Sequence, residues 1–352
     1  MAAESAYAAA GVDIDAGERA VELMKASVAA SHRPEVLGGL GGFAGFFDAS
    51  ALARYTRPVL ATSTDGVGTK VAIARAMGVY DTIGWDLVGM LVDDLVVTGA
   101  EPLFVTDYIA CGKVYPERIA AIVGGIAAAC TAAGAALLGG ETAEHPGLMQ
   151  PEDFDVAGAT TGVVEYDAIL GADRVRAGDA VLALASSGLH SNGFSLVRHV
   201  VEKAGWALED EVPELGTTLG EALLTPTRVY GRDLLAIIGA CEVHSISHIT
   251  GGGLANNLVR VLPDGVVADL DRATWTPPPV FALIQALGGV SLPDIEATLN
   301  QGVGMALVLP EASVARAQRE ARAAGIASWV VGAVRSEPGA PARVELHGDH
   351  PR

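Results

Sequence analysis

The stretch Thr64-Asp65-Gly66-Val67-Gly68-Thr69-Lys70 follows directly on the apolar run Val59-Leu60-Ala61. A strand that ends in a carboxylate, a glycine loop and an ammonium group suits a phosphate and its metal. Gly66 and Gly68 let backbone N–H groups approach phosphate oxygens, Asp65 can hold a divalent cation, and Lys70 can neutralise charge. An isolated loop of this kind reads more readily as a tight strand exit with a solvated lysine, so its companions decide.

Three carboxylates, Asp86, Asp93 and Asp94, interrupt the otherwise apolar segment Ile83 to Val96. Asp86 and Asp93 share a helix face about 10 Å apart along the axis, too far for one directly held metal. They can line a polyphosphate with its cations or form a solvated stripe, and the pattern alone favours neither. Leu137-Leu138 leads into Gly139-Gly140-Glu141-Thr142-Ala143-Glu144, again strand, glycine, carboxylate. Ser187 to Gly193 offers hydroxyl, amide and imidazole groups ahead of a helix N-terminus, and His248-Ile249-Thr250-Gly251-Gly252-Gly253 repeats that design. Each alone reads as a structural turn; together in an α/β chain they point to a shared ligand cleft.

The elements that must position these loops alternate along the chain. Asp15 with Glu18 reads as a capping box for a helix over 16–30, ended by His32-Arg33-Pro34. A cluster of Gly38, Gly39, Gly41, Gly42 and Gly45 with interleaved Leu40, Phe43, Phe46 and Phe47 reads as a ligand-shaped loop. Helices over 81–98 and 116–133 separate strands at 59–61, 103–109, 135–138 and 156–164. A polar connection at Gly171-Ala172-Asp173-Arg174 divides the chain into expected domains of 1–170 and 171–352. The second half restarts with strands at 181–185, 243–249, 304–309 and 328–334, helices at 194–203, 223–238, 280–287 and 312–324, and a short last strand after Glu337.

Composition bounds the function. The chain has 352 residues and a net charge of −19, without the basic footprint that nucleic acid requires. Glycine loops with Mg²⁺ can still hold small phosphates. Cys111, Cys130 and Cys241 are odd in number and unpaired in spacing, and Met1 to Ser5 does not open a secretory signal; the expectation is a reduced, cytoplasmic setting without a membrane span. The uncharged run Ile119 to Gly140 is long enough to span a bilayer, but its alanines and glycines read as a buried helix and a strand. Gly39-Leu40-Gly41-Gly42-Phe43-Ala44 satisfies a dinucleotide fingerprint formally but lacks a preceding strand, and Gly68-Thr69-Lys70-Val71 is not a Walker A.

The ordered set 10–17, Arg33-Pro34-Glu35-Val36, the glycine cluster, 64–70, 81–84, 94–97, 99–102, 139–144, 155–158, 186–198, 248–253 and 302–305 resembles the phosphoribosylformylglycinamidine cyclo-ligase (AIR synthetase) family almost end to end. The resemblance implies an α/β (α+β) protein of two domains. In the family the N-terminal domain contributes strands to a dimeric barrel, and the C-terminal domain carries a helix-covered mixed sheet. It implies ATP-dependent closure of an imidazole ring in purine biosynthesis, with Mg²⁺ and a small ribonucleotide as ligands and a homodimer as the assembly.

On that resemblance Asp65, Asp94 and Glu141, with Asp93 beside them, hold Mg²⁺. Lys25 and Lys70 contact phosphate, while Gly41, Gly42, Gly66, Gly68 and Thr69 close over the nucleotide. Ser191, Asn192, Gly193, Thr250 and Gly251 hold the ribonucleotide phosphate, Asp65 and Lys70 serve the ATP step, and His190 and His248 move protons. The chain departs from the family pattern at Asp93, often Asn, at His145 to Gln150, and at Gln301, often Cys. A selenophosphate synthetase would need an N-terminal reactive Cys or selenocysteine, whereas the first Cys here is Cys111. A non-catalytic nucleotide-binding regulator is disfavoured by intact acids and lysines in the loops.

Overall fold

The chain divides into two units, Met1–Leu95 with Glu101–Tyr166 and Val96–Ala100 with Asp167–Arg352. The computed structural model describes residues 13–39 and 41–351, so the readings that touch Ala10, Gly11, Val12 and Leu40 lie outside the described residues. Val96–Ala100 joins the second unit because Leu170 N–H donates to Thr98 O at 3.0 Å and Gly99 sits against Ala168 O.

The first unit begins with α1 (Ile14–Ser31). Its N-cap is Asp13, whose Oδ1 accepts from Ala16 N–H at 2.9 Å; Asp15, expected as the cap, already lies in the first turn. A hairpin of β1 (Val36–Leu37) and β2 (Phe46–Phe47) brackets the glycine cluster. Then come β3 (Pro58–Gly66), α2 (Val71–Met77), α3 (Ile83–Val96), β4 (Glu101–Cys111), α4 (Pro116–Ala133), β5 (Ala136–Glu144) and β6 (Phe154–Glu165). Helix α4 starts on a proline and ends at Gly134, whose φ of 80° allows the reversal. Among the described residues it is the one helix long and apolar enough to cross a membrane, yet half of it is buried and it packs on α1 and β5 as a core helix.

Strands β3, β6, β4 and β5 form a four-stranded sheet in that order, with β4–β5 parallel. Two strands run further than the sequence suggests. β3 continues to Gly66, and β5 continues through Gly139 to Glu144, because the glycine pair keeps its backbone in the ladder opposite Thr106 and Asp107. The sheet has two unlike faces. One carries Val105, Gly158 and Thr160 under α3, whose Leu87 and Leu91 reach Gly158 and whose Leu95 reaches Gly162; a Cβ on Gly158 would stand 2.9 Å from Leu91, and one on Gly162 2.6 Å from Leu95. The other carries Leu60, Thr62, Phe104, Thr106, Tyr108, Ala157 and Ala159 and is half-exposed.

The second unit contains β7 (Ala180–Ala185), α5 (Phe194–Ala204), a hairpin of β8 (Glu211–Val212) and β9 (Thr217–Thr218), α6 (Leu219–Leu223), α7 (Gly231–Ala240), β10 (Ser245–His248), α8 (Gly253–Leu258), β11 (Val266–Asp271), α9 (Pro279–Gly288), α10 (Leu292–Glu296), β12 (Val303–Leu309), α11 (Glu311–Ala323), β13 (Ser328–Ser336) and β14 (Arg343–His347). Its six-stranded sheet runs β10-β12-β7-β13-β11-β14, mixed because β14 joins β11 in parallel. Val181, Ala183, Ala268, Val308, Val331 and Trp275 lie in its core. The helix expected over 223–238, with an early interruption at Pro226, forms only beyond that proline, and a separate short helix precedes it. A capping box of Thr218 and Glu221 starts α6, the chain leaves helical geometry around Pro226, and α7 begins at Gly231.

Candidate active site

Strand register puts two carboxylates in one row of the first sheet. Asp65 pairs with Gly158, Gly158 with Asp107, and Asp107 with Gly140, so the row reads Asp65, Gly158, Asp107, Gly140 on the face covered by α3. Asp65 ends the row exposed, its Oδ1 accepting from its neighbour Gly66 N–H at 2.7 Å. Val67 N–H donates to Val156 O at 3.0 Å and pins the turn beyond it to β6. Glu141 is exposed as well, one residue past Gly140 and opposite Tyr108, which places it on the other face of the sheet from Asp65 and Asp107.

Lys70 does not reach the loop surface as expected. It is fully buried and donates from Nζ to Asp86 Oδ1 at 2.7 Å, with Asp86 equally enclosed. An ammonium taken from water needs an anion beside it, and Asp86 fills that need; contact with a phosphate is not open to it in this arrangement. Burial acts to lower the Lys70 pKa, and Asp86 opposes that shift. The acids of α3 separate by face. Asp86 and Asp93, seven residues apart, are both wholly buried, whereas Asp94, a hundred degrees on, is the one exposed side chain of the helix. Asp93, expected as a possible metal ligand, is therefore enclosed, and the solvent-facing donors are Asp65, Asp94 and Glu141. Their oxygens are of the kind a hard divalent cation such as Mg²⁺ takes, with Asp65 on the α3 face and Glu141 on the opposite one.

A cavity of about 430 Å³ opens beside Asp107. Met24 and Val28 of α1, Val114, Val123 and Leu137 give it apolar walls, Gly139 and Gly140 its edge, and Gly41, Gly42 and Phe43 of the glycine loop lie over it. This is the size and lining of a small-molecule pocket with few polar groups. Asp107 is 9% exposed, and burial pushes its carboxyl pKa up to about 7. Gly140 makes room for it, since a Cβ there would stand 2.2 Å from Asp107 Oδ1. Asp107 was not among the expected site residues. Its signal lay in the alternation Val105, Asp107, Ile109, Cys111, where a carboxylate occupies an inward position of an apolar strand.

The glycine loop is held at its base. Arg33 donates from Nη1 to Pro102 O and Gly134 O, both at 3.0 Å, and pairs with Glu35 and Glu101. Lys25 lies outside the cavity on an adjoining open hollow with Glu18, Glu22 and Glu144, half-exposed and paired to Glu22. Thr69 is exposed in the turn between Gly68 and Lys70.

In the second unit, the two loops expected to hold a phosphate meet. A Cβ on Gly251 would lie 3.4 Å from Asn192 Oδ1. Both loops also rest on the end of α10 and the residues after it: Gly193 faces Leu299, and Gly253 faces Glu296 O, where added carbons would collide at 2.2 and 1.7 Å. Positive φ at Gly193 (76°) and Gly252 (107°) turns each loop into its helix, α5 or α8. Asn257 Nδ2 donates to Gly253 O at 2.8 Å and to Thr250 O and Gly251 O at 3.3 Å, fixing the second loop from below. Ser191 is buried, whereas Asn192, Gly193, Thr250 and Gly251 reach solvent.

The histidines differ. His190 is buried with φ of 59°, and its Nε2 accepts from Ser187 N–H at 3.1 Å. His248 ends β10 opposite Met305 and leads into the Thr250–Gly253 turn.

Comparison with known proteins follows the same division. The family model described as AIR synthase related protein, N-terminal domain, matches residues 47–164, and its C-terminal counterpart matches 176–344. The chain is similar to phosphoribosylformylglycinamidine cyclo-ligases from Shouchella clausii, 50% identical over 94% of this chain and 96% of that one, and from Desulfitobacterium hafniense, 48% identical over 93% and 96%. Among solved structures it shares its fold with thiamine-monophosphate kinase from Stenotrophomonas maltophilia, at a TM-score of 0.69 and 19% identity over 95% of this chain and 97% of that one. It shares it also with the hydrogenase maturation protein HypE in complex with ATP, at 0.63 and 18% over 95% and 93%. By both family models and by near-complete, roughly half-identical alignment, the chain belongs to the AIR synthase family, on its phosphoribosylformylglycinamidine cyclo-ligase branch.

Proposed function

We propose that the protein closes an imidazole ring, converting formylglycinamidine ribonucleotide and ATP into 5-aminoimidazole ribonucleotide, ADP and phosphate. The similarity to cyclo-ligases over 94% of the chain carries this reading. ATP phosphorylates the amide oxygen of the substrate, an amidine nitrogen attacks the activated carbon, and phosphate leaves with that oxygen. An amide oxygen is otherwise a poor leaving group.

The geometry supports a division of labour. The cavity beside Asp107 takes the adenine, whose 6-amino group donates to that carboxyl, and Phe43 with Gly41 and Gly42 shields it from water. When bound, Mg²⁺ offsets triphosphate charge. Asp65 and Asp94 would hold it, together with Glu141 of β5. Gly66, Gly68 and Thr69 bring backbone N–H groups to the phosphates. Ser191, Asn192, Gly193, Thr250 and Gly251 seat the ribonucleotide phosphate, and His248 beside them moves a proton during ring closure. His190, with Nε2 accepting from Ser187, orients its loop. Catalysis of this kind is mostly positioning and charge stabilisation.

The half-exposed face of the first sheet is read as the seat of a second copy of the chain, its Leu60 and Tyr108 being large and 62% and 42% exposed. Leu60→Asp is expected to shift the mass measured by light scattering from a dimer to the single chain of 35.9 kDa. An unchanged dimer would place the interface elsewhere. The cysteines are free, two of them buried, which fits a reduced cytoplasmic setting.

The test of the reaction is ADP release with formylglycinamidine ribonucleotide, run beside thiamine monophosphate and selenide. ADP stoichiometric with the first alone is expected. Release with another acceptor, or with none, would overturn the reading.

A further inference from the structure

Lys70 and Asp86 make the most enclosed ion pair of the first unit, both side chains without solvent exposure and 2.7 Å apart. Taking two charges out of water is costly, and two apolar side chains of similar volume would fill such a site at least as well. A pair in that place calls for a use other than stability. Its location suggests one. Lys70 stands five residues beyond Asp65, in the turn that Val67 N–H fixes to Val156 O, and Asp86 stands eight residues before Asp94 on the same continuous helix.

The packing of α3 gives the pair its work. The helix lies on a glycine track: Leu87 and Leu91 on Gly158, Leu95 on Gly162, and Gly84 against the backbone of Gly125 and Ile126 in α4. Leucine methyls on bare backbone set the height of a helix but tolerate a slide along its axis, because such contacts are non-directional. An ion pair with a hydrogen bond at 2.7 Å is directional and short. It ties one end of α3 to the turn that follows Asp65.

We propose that Lys70 and Asp86 form a buried strut that sets the axial position of α3, and with it the spacing between the carboxylates of Asp65 and Asp94; both are positioning residues for the ATP step. This rests on the reading of Asp65 and Asp94 as Mg²⁺ ligands. It replaces a phosphate contact for Lys70 with an action through Asp86.

The test uses the full chain with the non-hydrolysable ATP analogue AMPPNP and Mn²⁺, free Mn²⁺ being followed by electron paramagnetic resonance. Asp86→Asn keeps the shape of the side chain and removes the pair. Lys70→Met with Asp86→Leu replaces both charges by apolar groups. Each is expected to bind AMPPNP nearly as well as the unmodified protein but Mn²⁺ about 10–100-fold more weakly, the cost usual for loss of a group that orients metal ligands. A loss of stability alone would lower the unfolding temperature and leave the Mn²⁺ affinity of the folded protein unchanged.

Unchanged Mn²⁺ affinity in folded Asp86→Asn would overturn the strut. So would a double variant that loses AMPPNP while keeping Mn²⁺, since Lys70 would then serve phosphate directly. If the neutral variants fail to accumulate, Asp86→Glu decides on the same criteria, because it keeps both charges and displaces the helix by a methylene. Absence of Mn²⁺ binding by the unmodified protein would overturn the metal reading together with the strut.

Discussion

At pH 8 the Asp107→Asn variant is expected to unfold at a higher temperature than the unmodified protein, and the gap should close as pH falls towards 4. The carboxyl sits near pKa 7 in the folded chain against 3.8 when solvated, because it is buried in an apolar cavity. Between those values the folded state holds more protons than the unfolded one, so stability falls as pH rises through that window. Above pH 7 the full cost is present; below about 4 it vanishes. The shift corresponds to an upper limit on the order of 4 kcal/mol, of which an amide that must itself find partners would recover about 2–4. For a unit of this size that is a rise of roughly 5–15 °C at pH 8. Scanning calorimetry at pH 5 and pH 8 measures it.

The same variant should bind ATP more weakly, with KM raised about tenfold, as expected when the acceptor of the 6-amino hydrogen bond changes from a charged carboxylate to a neutral amide oxygen. Stability gained and affinity lost together mark a group kept for function. A carboxyl that only filled space would give the first effect without the second. Stability equal to that of the unmodified protein at both pH values would show that Asp107 is solvated and that the cavity is not its environment.

What the residues revealed in advance was the local chemistry. Asp65 behind an apolar run, the three glycines after Thr250 and the loop ahead of Phe194 stand at strand ends or helix starts, and the glycine pair before Glu141 stands late in β5, because glycine and carboxylate patterns are decided within a few residues. Side-chain facing was harder to read. Asp93 and Asp94 are neighbours in sequence, yet one is enclosed and the other exposed, a difference set by how α3 lies on Gly158 and Gly162. Lys70 reads as a surface charge until Asp86, sixteen residues away, is placed beside it. Asp107 becomes a site residue only when strand pairing brings it level with Asp65 and Gly140, and register between distant strands is not written in any one of them. Strand β11 escaped for a related reason, as its partners β13 and β14 come more than fifty residues later.

Asp94→Asn and Asp93→Asn are expected to fail in opposite ways. Asp94 is the exposed carboxylate of α3 and a donor in the proposed metal set, so its amide should fold normally, within about 0.5 kcal/mol of the unmodified protein. Its kcat/KM for ATP-dependent ring closure should fall by on the order of 10²–10³, and raising Mg²⁺ should restore part of it, because one anionic ligand is lost while the others remain. Asp93 is wholly enclosed, so the same one-atom change alters a buried polar group and should cost about 1–3 kcal/mol of stability. Its folded fraction should turn over at nearly the unmodified rate with an unaltered Mg²⁺ requirement. Steady-state rates over a Mg²⁺ series, read beside thermal unfolding of each variant, separate the two. If Asp93→Asn were the variant whose Mg²⁺ requirement moved, the helix would have to present its other face to the nucleotide, and the assignment of Asp94 would fall with it.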